Sequence, residues 1–185
     1  MRVLALADKR PPMDPALMAE ELGVQAVITL GDLDLAWIES LTGLALPKVG
    51  VHGNHDPDHL LREVEVDDLH CRRTSLLGRT LAGFEGCVRY GHGGSHHYTQ
   101  KEASKLAKRL PAADILICHC PPFGINDDPD DPAHVGFAGL RDWVDRYQPR
   151  HILHGHTHPI RGCAATRHGD SRVHWVSGAR VLQLD

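Results

Sequence analysis

The chain has 185 residues, 42% hydrophobic and 24% charged, with a net charge of −4 when histidine is neutral. That length suits one sizeable core and the composition is that of an ordinary soluble globular protein, while no apolar run approaches the roughly 18 residues of a membrane span. The negative charge argues against a protein that needs a broad basic surface for an extended nucleic acid, but not against one that holds a small nucleotide through metal.

Residues 3–7 are apolar and end at Asp8, too short a run for an export signal, so they read as a buried strand. Pro11-Pro12 punctuates the next loop. Asp14-Pro15 then opens a helix to about Leu22, with Asp as the cap and Pro in the first turn, and Gly23 stops it. A second strand over 26–30 delivers Gly31-Asp32. After a short helix over 35–41, a third strand over 48–52 delivers Gly53-Asn54-His55-Asp56. This strand–helix alternation with near-continuous apolar strands predicts a parallel sheet covered on both faces.

Short strands are expected over 64–69, 74–77 and 80–84, then a flexible loop over 91–97 and an amphipathic helix over 99–110. A buried strand over 114–118 ends at His119, followed by a long Asp- and Pro-rich loop over 121–135 and a helix over 137–147. The strand over 150–153 ends at His154-Gly155-His156-Thr157-His158. Strands over 163–166 and 173–176, turned at His168-Gly169-Asp170, and a last one over 181–184 close the chain. No internal repeat or linker divides it, so residues 1–185 read as a single domain.

The five cysteines, Cys71, Cys87, Cys118, Cys120 and Cys163, have no disulfide-framework spacing and read as reduced thiols of a cytoplasmic protein. Fifteen histidines are the compositional outlier, and they are spread along the chain rather than gathered in a tag. Asp8, Asp32, Asn54, His119, His156 and His158 each follow a strand, which puts them where ligands collect in open α/β sheets, beyond the carboxyl ends. Mixed carboxylate, amide and imidazole donors suit one or two divalent ions, Mn²⁺ or Fe first and Zn²⁺ as a further option. His52 and His154 precede their motifs on the strands and read as supporting or packing residues.

In that order and spacing, Gly31-Asp32, Gly53-Asn54-His55-Asp56, His119 and Gly155-His156-Thr157-His158 resemble the calcineurin-like metallophosphoesterase family. The stretch His119-Cys120-Pro121-Pro122-Phe123-Gly124 is similar to its small, capless branch. The resemblance implies a sandwich of two mixed β-sheets flanked by helices. It further implies that Asp32 bridges two metals, one also taking Asn54, His119 and His156, the other Asp8 and His158. A metal-bound hydroxide would attack the phosphorus, His55 would act at the leaving oxygen, and Asp56 would orient the His55 imidazole.

The first motif departs from the family. Asp8-Lys9-Arg10 has arginine where a metal-binding histidine is expected, and a guanidinium has no lone pair to give. The second metal binds more weakly, or Arg10 takes its place beside Asp8 and grips a phosphate oxygen, or the site has become a sensor. The open site implied by the lack of a cap suits a small nucleotide-type phosphodiester. His92, His96, His97 and His134 are candidates to reach the phosphate alongside Arg10. The alternative function is a catalytically weakened scaffold or sensor that binds metal, phosphate or nucleotide. Partners beyond a small phosphoester extend only to an optional second copy, with neither membrane nor extended nucleic-acid surface expected.

Overall fold

Each of the first two helices of the protein begins where a side chain can satisfy its free amides. In a computed structural model, which describes residues 1–92, 94–159 and 162–185, Asp14 caps α1 (Pro15–Glu21) and Asp34 caps α2 (Leu35–Ile38). Ahead of these lies β1 (Arg2–Ala7), with β2 (Ala26–Thr29) between them, and α2 runs on into a 3₁₀ turn, Glu39–Leu41. Then come β3 (Lys48–Gly50), α3 (Leu60–Glu63), β4 (Asp67–Asp68), β5 (Arg73–Leu76), β6 (Arg79–Phe84), β7 (Cys87–Val88) and β8 (His97–Tyr98). Thr99 and Glu102 form a reciprocal capping box on α4 (Gln100–Ala107). The remainder is β9 (Ile115–Cys118), α5 (Ala138–Tyr147), β10 (His151–His154), β11 (Arg167–His168), β12 (Ser171–Trp175) and β13 (Gly178–Gln183).

Two mixed sheets carry the architecture. The first has the order β13-β1-β2-β3-β4, with β13 antiparallel to β1 and the others parallel. The second has the order β11-β12-β10-β9-β6-β5, parallel through β12-β10-β9-β6 and antiparallel at both edges. Alternation along β1 explains its unbroken apolar run. Val3, Ala5 and Ala7 pack with Leu81, Ile115, Ile117 and Leu153 of the second sheet. Leu4 and Leu6 point the other way, onto Met18, Ala19, Ile38 and Leu60 of the helices. The second sheet's outer face packs on α4 and α5 through Leu116, Ile152, Ala103, Leu140 and Val144.

The first sheet is therefore covered by helices on one face and by another sheet on the other, the two-sheet sandwich that the family resemblance implied. Continuous apolar strands arise under a sheet or under helices, so the pattern alone could not separate them. Two local expectations change. The strand expected over 64–69 shrinks to β4, because α3 precedes it and is closed by Val64 N–H donating to Leu60 O, with Glu65 left-handed at φ 56°. The strand expected over 163–166 is replaced by β11, which pairs with β12 around the Gly169 turn. In the 91–97 loop, Gly93 lies outside the described residues.

Phe84 is fully buried where the second sheet meets α5, edge-on to Phe137 at 5.2 Å between ring centroids. Phe84→Ala should lower unfolding stability by about 3–5 kcal/mol, the usual cost of deleting a buried ring. Urea unfolding followed by circular dichroism measures it, and a loss under about 1 kcal/mol would contradict this packing.

Candidate metal centre and active site

The carboxyl ends of β1, β2, β3, β9 and β10 bring five loops from both sheets to one edge. Close approach there depends on missing side chains. A Cβ on Gly31 would lie 2.2 Å from the Gly53 amide nitrogen, and one on Gly53 would lie 2.0 Å from Asp32 Oδ1. The strained backbone belongs to the polar residues themselves: Asp8, Asp32 and His156 have φ of 60°, 53° and 64°. Each costs on the order of 1–3 kcal/mol outside glycine, and such positions concentrate at functional sites.

Asp32, His119 and His156 place one donor atom each within 4.8 Å of one another. His119 is fully buried and its Nδ1–H donates to the Leu30 carbonyl at 2.7 Å, so Nε2 faces Asn54 Oδ1 at 3.1 Å and Asp32 Oδ2 at 3.5 Å. His156 Nε2–H donates to the Ala133 carbonyl at 2.8 Å, which leaves Nδ1 as its lone-pair atom. Both rings are thus held in one tautomer by a backbone oxygen, the usual support of a metal-bound histidine. Burial, then the charge of His119, lowers His156 to about 3, so it stays neutral and able to coordinate. A carboxylate, an amide oxygen and two oriented imidazoles fit a divalent transition ion.

Burial alone would raise Asp32, but the charge and hydrogen bond of His119 and the His55 amide hold it well below the usual carboxylate range. Asp8 accepts the His156 amide at 3.1 Å on both oxygens and lies 4.0 Å from His119 Nδ1. Burial raises Asp8 to about 6, opposed by His119.

The other expected residues divide. His134 lies beside the centre: its ring is 5.3 Å from both His156 and His158, with Nδ1 donating to Asp131 at 2.6 Å. His158 is exposed and lines a separate hollow with His134, Asp127, Asp128 and Asp131. Among the described residues it does not form a three-donor group with Asp8 and Asp32. Arg10 is exposed and lines a neighbouring hollow with Pro11, Pro12, Met13 and Trp37. Among the described residues no ion pair joins Arg10 to Asp8, so the arrangement with Arg10 paired to Asp8 is not the one adopted. His92 is an exposed turn residue, and His97 donates to Ser95 O beside Arg89 and Lys105, away from the cleft.

His55 is exposed on a cleft of about 500 Å³ also lined by Asp8, Asp32, Leu33, Trp37 and Leu60. Asp56 does not orient its imidazole. Its carboxylate accepts three backbone amides, from Gly53 at 2.7 Å, Leu33 at 2.9 Å and Asp32 at 3.0 Å, and so ties two loops together. The sequence gives no hint of the Leu30 and Ala133 carbonyls, since any residue supplies one. His154, fully buried, accepts from Asn126 and donates to Gly155 O, in keeping with a supporting role.

Two mixed sheets with oriented imidazoles and a carboxylate at their shared edge define a metal-binding α/β sandwich. The sequence model of the calcineurin-like phosphoesterase family matches residues 16–159, and the chain belongs to that family. Metal-dependent hydrolysis of phosphoesters is the family's chemistry. TT1561 of Thermus thermophilus superposes with a TM-score of 0.64 over 96% of this chain and 89% of its own, at 20% identity. Another solved structure aligns with a TM-score of 0.65 over 100% of this chain and 99% of its own, at 16% identity. At those identities the likeness concerns the fold. No curated protein matches the sequence, and no helix among the described residues is long and apolar enough to cross a membrane.

Titration should show in the stability of the metal-free protein. Burial lowers His154, His156 and His174 to about 4, 3 and 4, so their contribution is present above the unfolded value near 6.5 and is lost as pH falls from there. Burial also opposes the charge on His119, but Asp32 outweighs it and raises the ring to about 9. Its contribution is present below 6.5 and is lost as pH rises toward 9. Asp8 works against the three histidines between about 4 and 6, but is one group against three. Urea midpoints of metal-free protein should peak near pH 6.5 and fall on both sides. A flat profile from about pH 4.5 to about pH 8.5 would contradict these assignments.

Proposed function

We propose that the chain is a metal-dependent phosphodiesterase acting on a small diester with a flat or apolar substituent, such as a cyclic nucleotide or nucleotide diester. The observation that carries this is the exposed His55 imidazole on the cleft that also holds Asp8 and Asp32, the latter within the three-donor group with His119 and His156. Asp32, Asn54, His119 and His156 would hold the ion, with Mn²⁺, Fe or Zn²⁺ suited to that set. When bound, such an ion polarises phosphoryl oxygen and lowers the pKa of a coordinated water.

The protein's own groups supply the rest. His55 gives a proton to the leaving oxygen, and its amide, bonded to Asp32 Oδ1 at 2.9 Å, ties it to the metal-binding loop. Asp56 acts as a positioning residue through its three amides. Leu33, Leu35, Trp37 and Leu60 offer an apolar wall for a base or aryl group, beside the carboxylates of Asp34 and Glu63. That acidic rim opposes a doubly charged monoester more than a singly charged diester, which supports the diester reading. Cytoplasmic location belongs to the same reading, on the five free thiols. The rival reading, a binder of phosphate or nucleotide without turnover, is favoured by His158 standing outside the three-donor group.

With Mn²⁺, wild type should hydrolyse bis(p-nitrophenyl) phosphate faster than p-nitrophenyl phosphate, and His55→Ala should lower kcat by roughly 10²–10⁴-fold, the range for losing a general acid. Equal inertness of both proteins across Mn²⁺, Fe²⁺ and Zn²⁺ would favour the binder. Preference for the monoester would reject the diester assignment.

A further inference from the structure

A second group of imidazoles and carboxylate lies behind the Gly53-Asn54 loop, outside the cleft. His52, Glu85 and His96 place donor atoms within 4.8 Å of one another, and His52 and Glu85 are buried. Glu85 Oε2 lies 3.3 Å from His52 Nδ1 and 3.2 Å from His96 Nδ1. The two rings are stacked at 4.6 Å with only 2° between their planes, so they share that oxygen from parallel planes, and one ring must turn about its Cβ–Cγ bond to bring both lone pairs onto one ion. Ligands about 2.0–2.1 Å from a tetrahedral zinc stand about 3.3 Å apart, which is the spacing of these two pairs.

The surrounding groups match what such ligands need. Tyr98 donates its hydroxyl to Glu85 Oε1, leaving Oε2 for the two imidazoles. His96 Nε2 lies 3.2 Å from Asp58 Oδ1, close enough for charge pairing although not aligned as a hydrogen bond. His70 is excluded as a ligand through Nδ1, which accepts the Glu85 amide at 3.1 Å. His52 Nε2 and His96 Nε2 are both buried without a hydrogen-bond partner among the described residues, so Glu85 Oε2 is the acceptor that faces each ring, through Nδ1.

The backbone adds an independent sign. His96 has φ 55°, where asparagine or glycine would sit at less cost, and its carbonyl accepts the Cys87 amide. An imidazole kept at a strained position, aimed at a buried carboxylate, calls for a function of the side chain. We infer that His52 Nδ1, His96 Nδ1 and Glu85 Oε2 form a second divalent-metal site, for an ion of the zinc type. It joins β3, the end of β6 and the loop before β8, and so braces the backbone leading into Gly53-Asn54. A hydrogen-bonded His–Glu–His cluster without metal is the competing outcome.

The test uses the full chain, stripped of metal, reloaded with Zn²⁺ and dialysed, with bound zinc measured by mass spectrometry. His96→Asn suits the left-handed backbone and should retain the fold, checked by circular dichroism; Glu85→Gln is the second variant. Each should hold one equivalent less zinc than wild type, whereas His156→Ala should keep this equivalent and lose the one at the cleft. In Co²⁺-loaded protein, the visible bands that persist in His156→Ala should vanish when His96→Asn is added. Equal zinc in wild type, His96→Asn and Glu85→Gln would overturn the site. So would a wild-type equivalent that His156→Ala alone removes. Because the sites are scored by different variants, failure of the cleft centre would be seen separately.

Discussion

The hydrogen bond from His119 Nδ1 to the Leu30 carbonyl is the contact on which the functional edge depends. Leu30 ends the second strand of the first sheet, and His119 follows β9 of the second sheet, so one 2.7 Å bond fastens the two carboxyl edges together. It also decides the chemistry, because it commits Nδ1 and turns Nε2 toward Asn54 and Asp32. In the metal-free protein a proton on Nε2 stands between those oxygens, held there by the carboxylate although burial opposes it. A cation at the centre must displace that proton, so metal affinity and pH are coupled through this ring.

Around that bond the loops are held by carboxylates that take backbone amides. Asp56 collects three from the second and third loops, and Asp8 takes the His156 amide of the last. These bonds hold Asp8, Asp32 and His156 in left-handed conformations that none would adopt freely. Local strain is tolerated because the sheets behind are packed on both faces and cannot relax toward it.

Much of this was legible in the chain itself. The strands that deliver the motifs have buried, continuous patterns, and the motifs' residue types name their chemistry. What escaped was what depends on the third dimension. The apolar run of β1 does not by itself tell sheet-on-sheet from helix-covered packing, and only the family resemblance implied the two sheets. Asp56 follows His55 in sequence and so invites a role on the imidazole, yet its carboxylate turns back into the loop. Glu85 belongs to no motif and meets His52 and His96 only through the fold. Backbone carbonyls, which set both metal-facing tautomers, leave no trace in residue identity.

The unusual first motif gains a physical account from its surroundings. Arg10 does not neutralise Asp8; the nearby Lys9 lowers that carboxyl slightly, while burial raises it more. Asp8 is instead committed to the His156 amide, a bond that shapes the very loop carrying a ligand of the first centre. Asp8 therefore has a use that does not require a second cation. The same bond would survive metal binding only if the ion took a lone pair the amide leaves free. A carboxylate with two oxygens can do both, so arginine at position 10 leaves the group of Asp32, His119 and His156 undisturbed. His158 is exposed with its ring 5.3 Å from that of His134, so an ion held by it together with Asp8 would have to draw that ring inward.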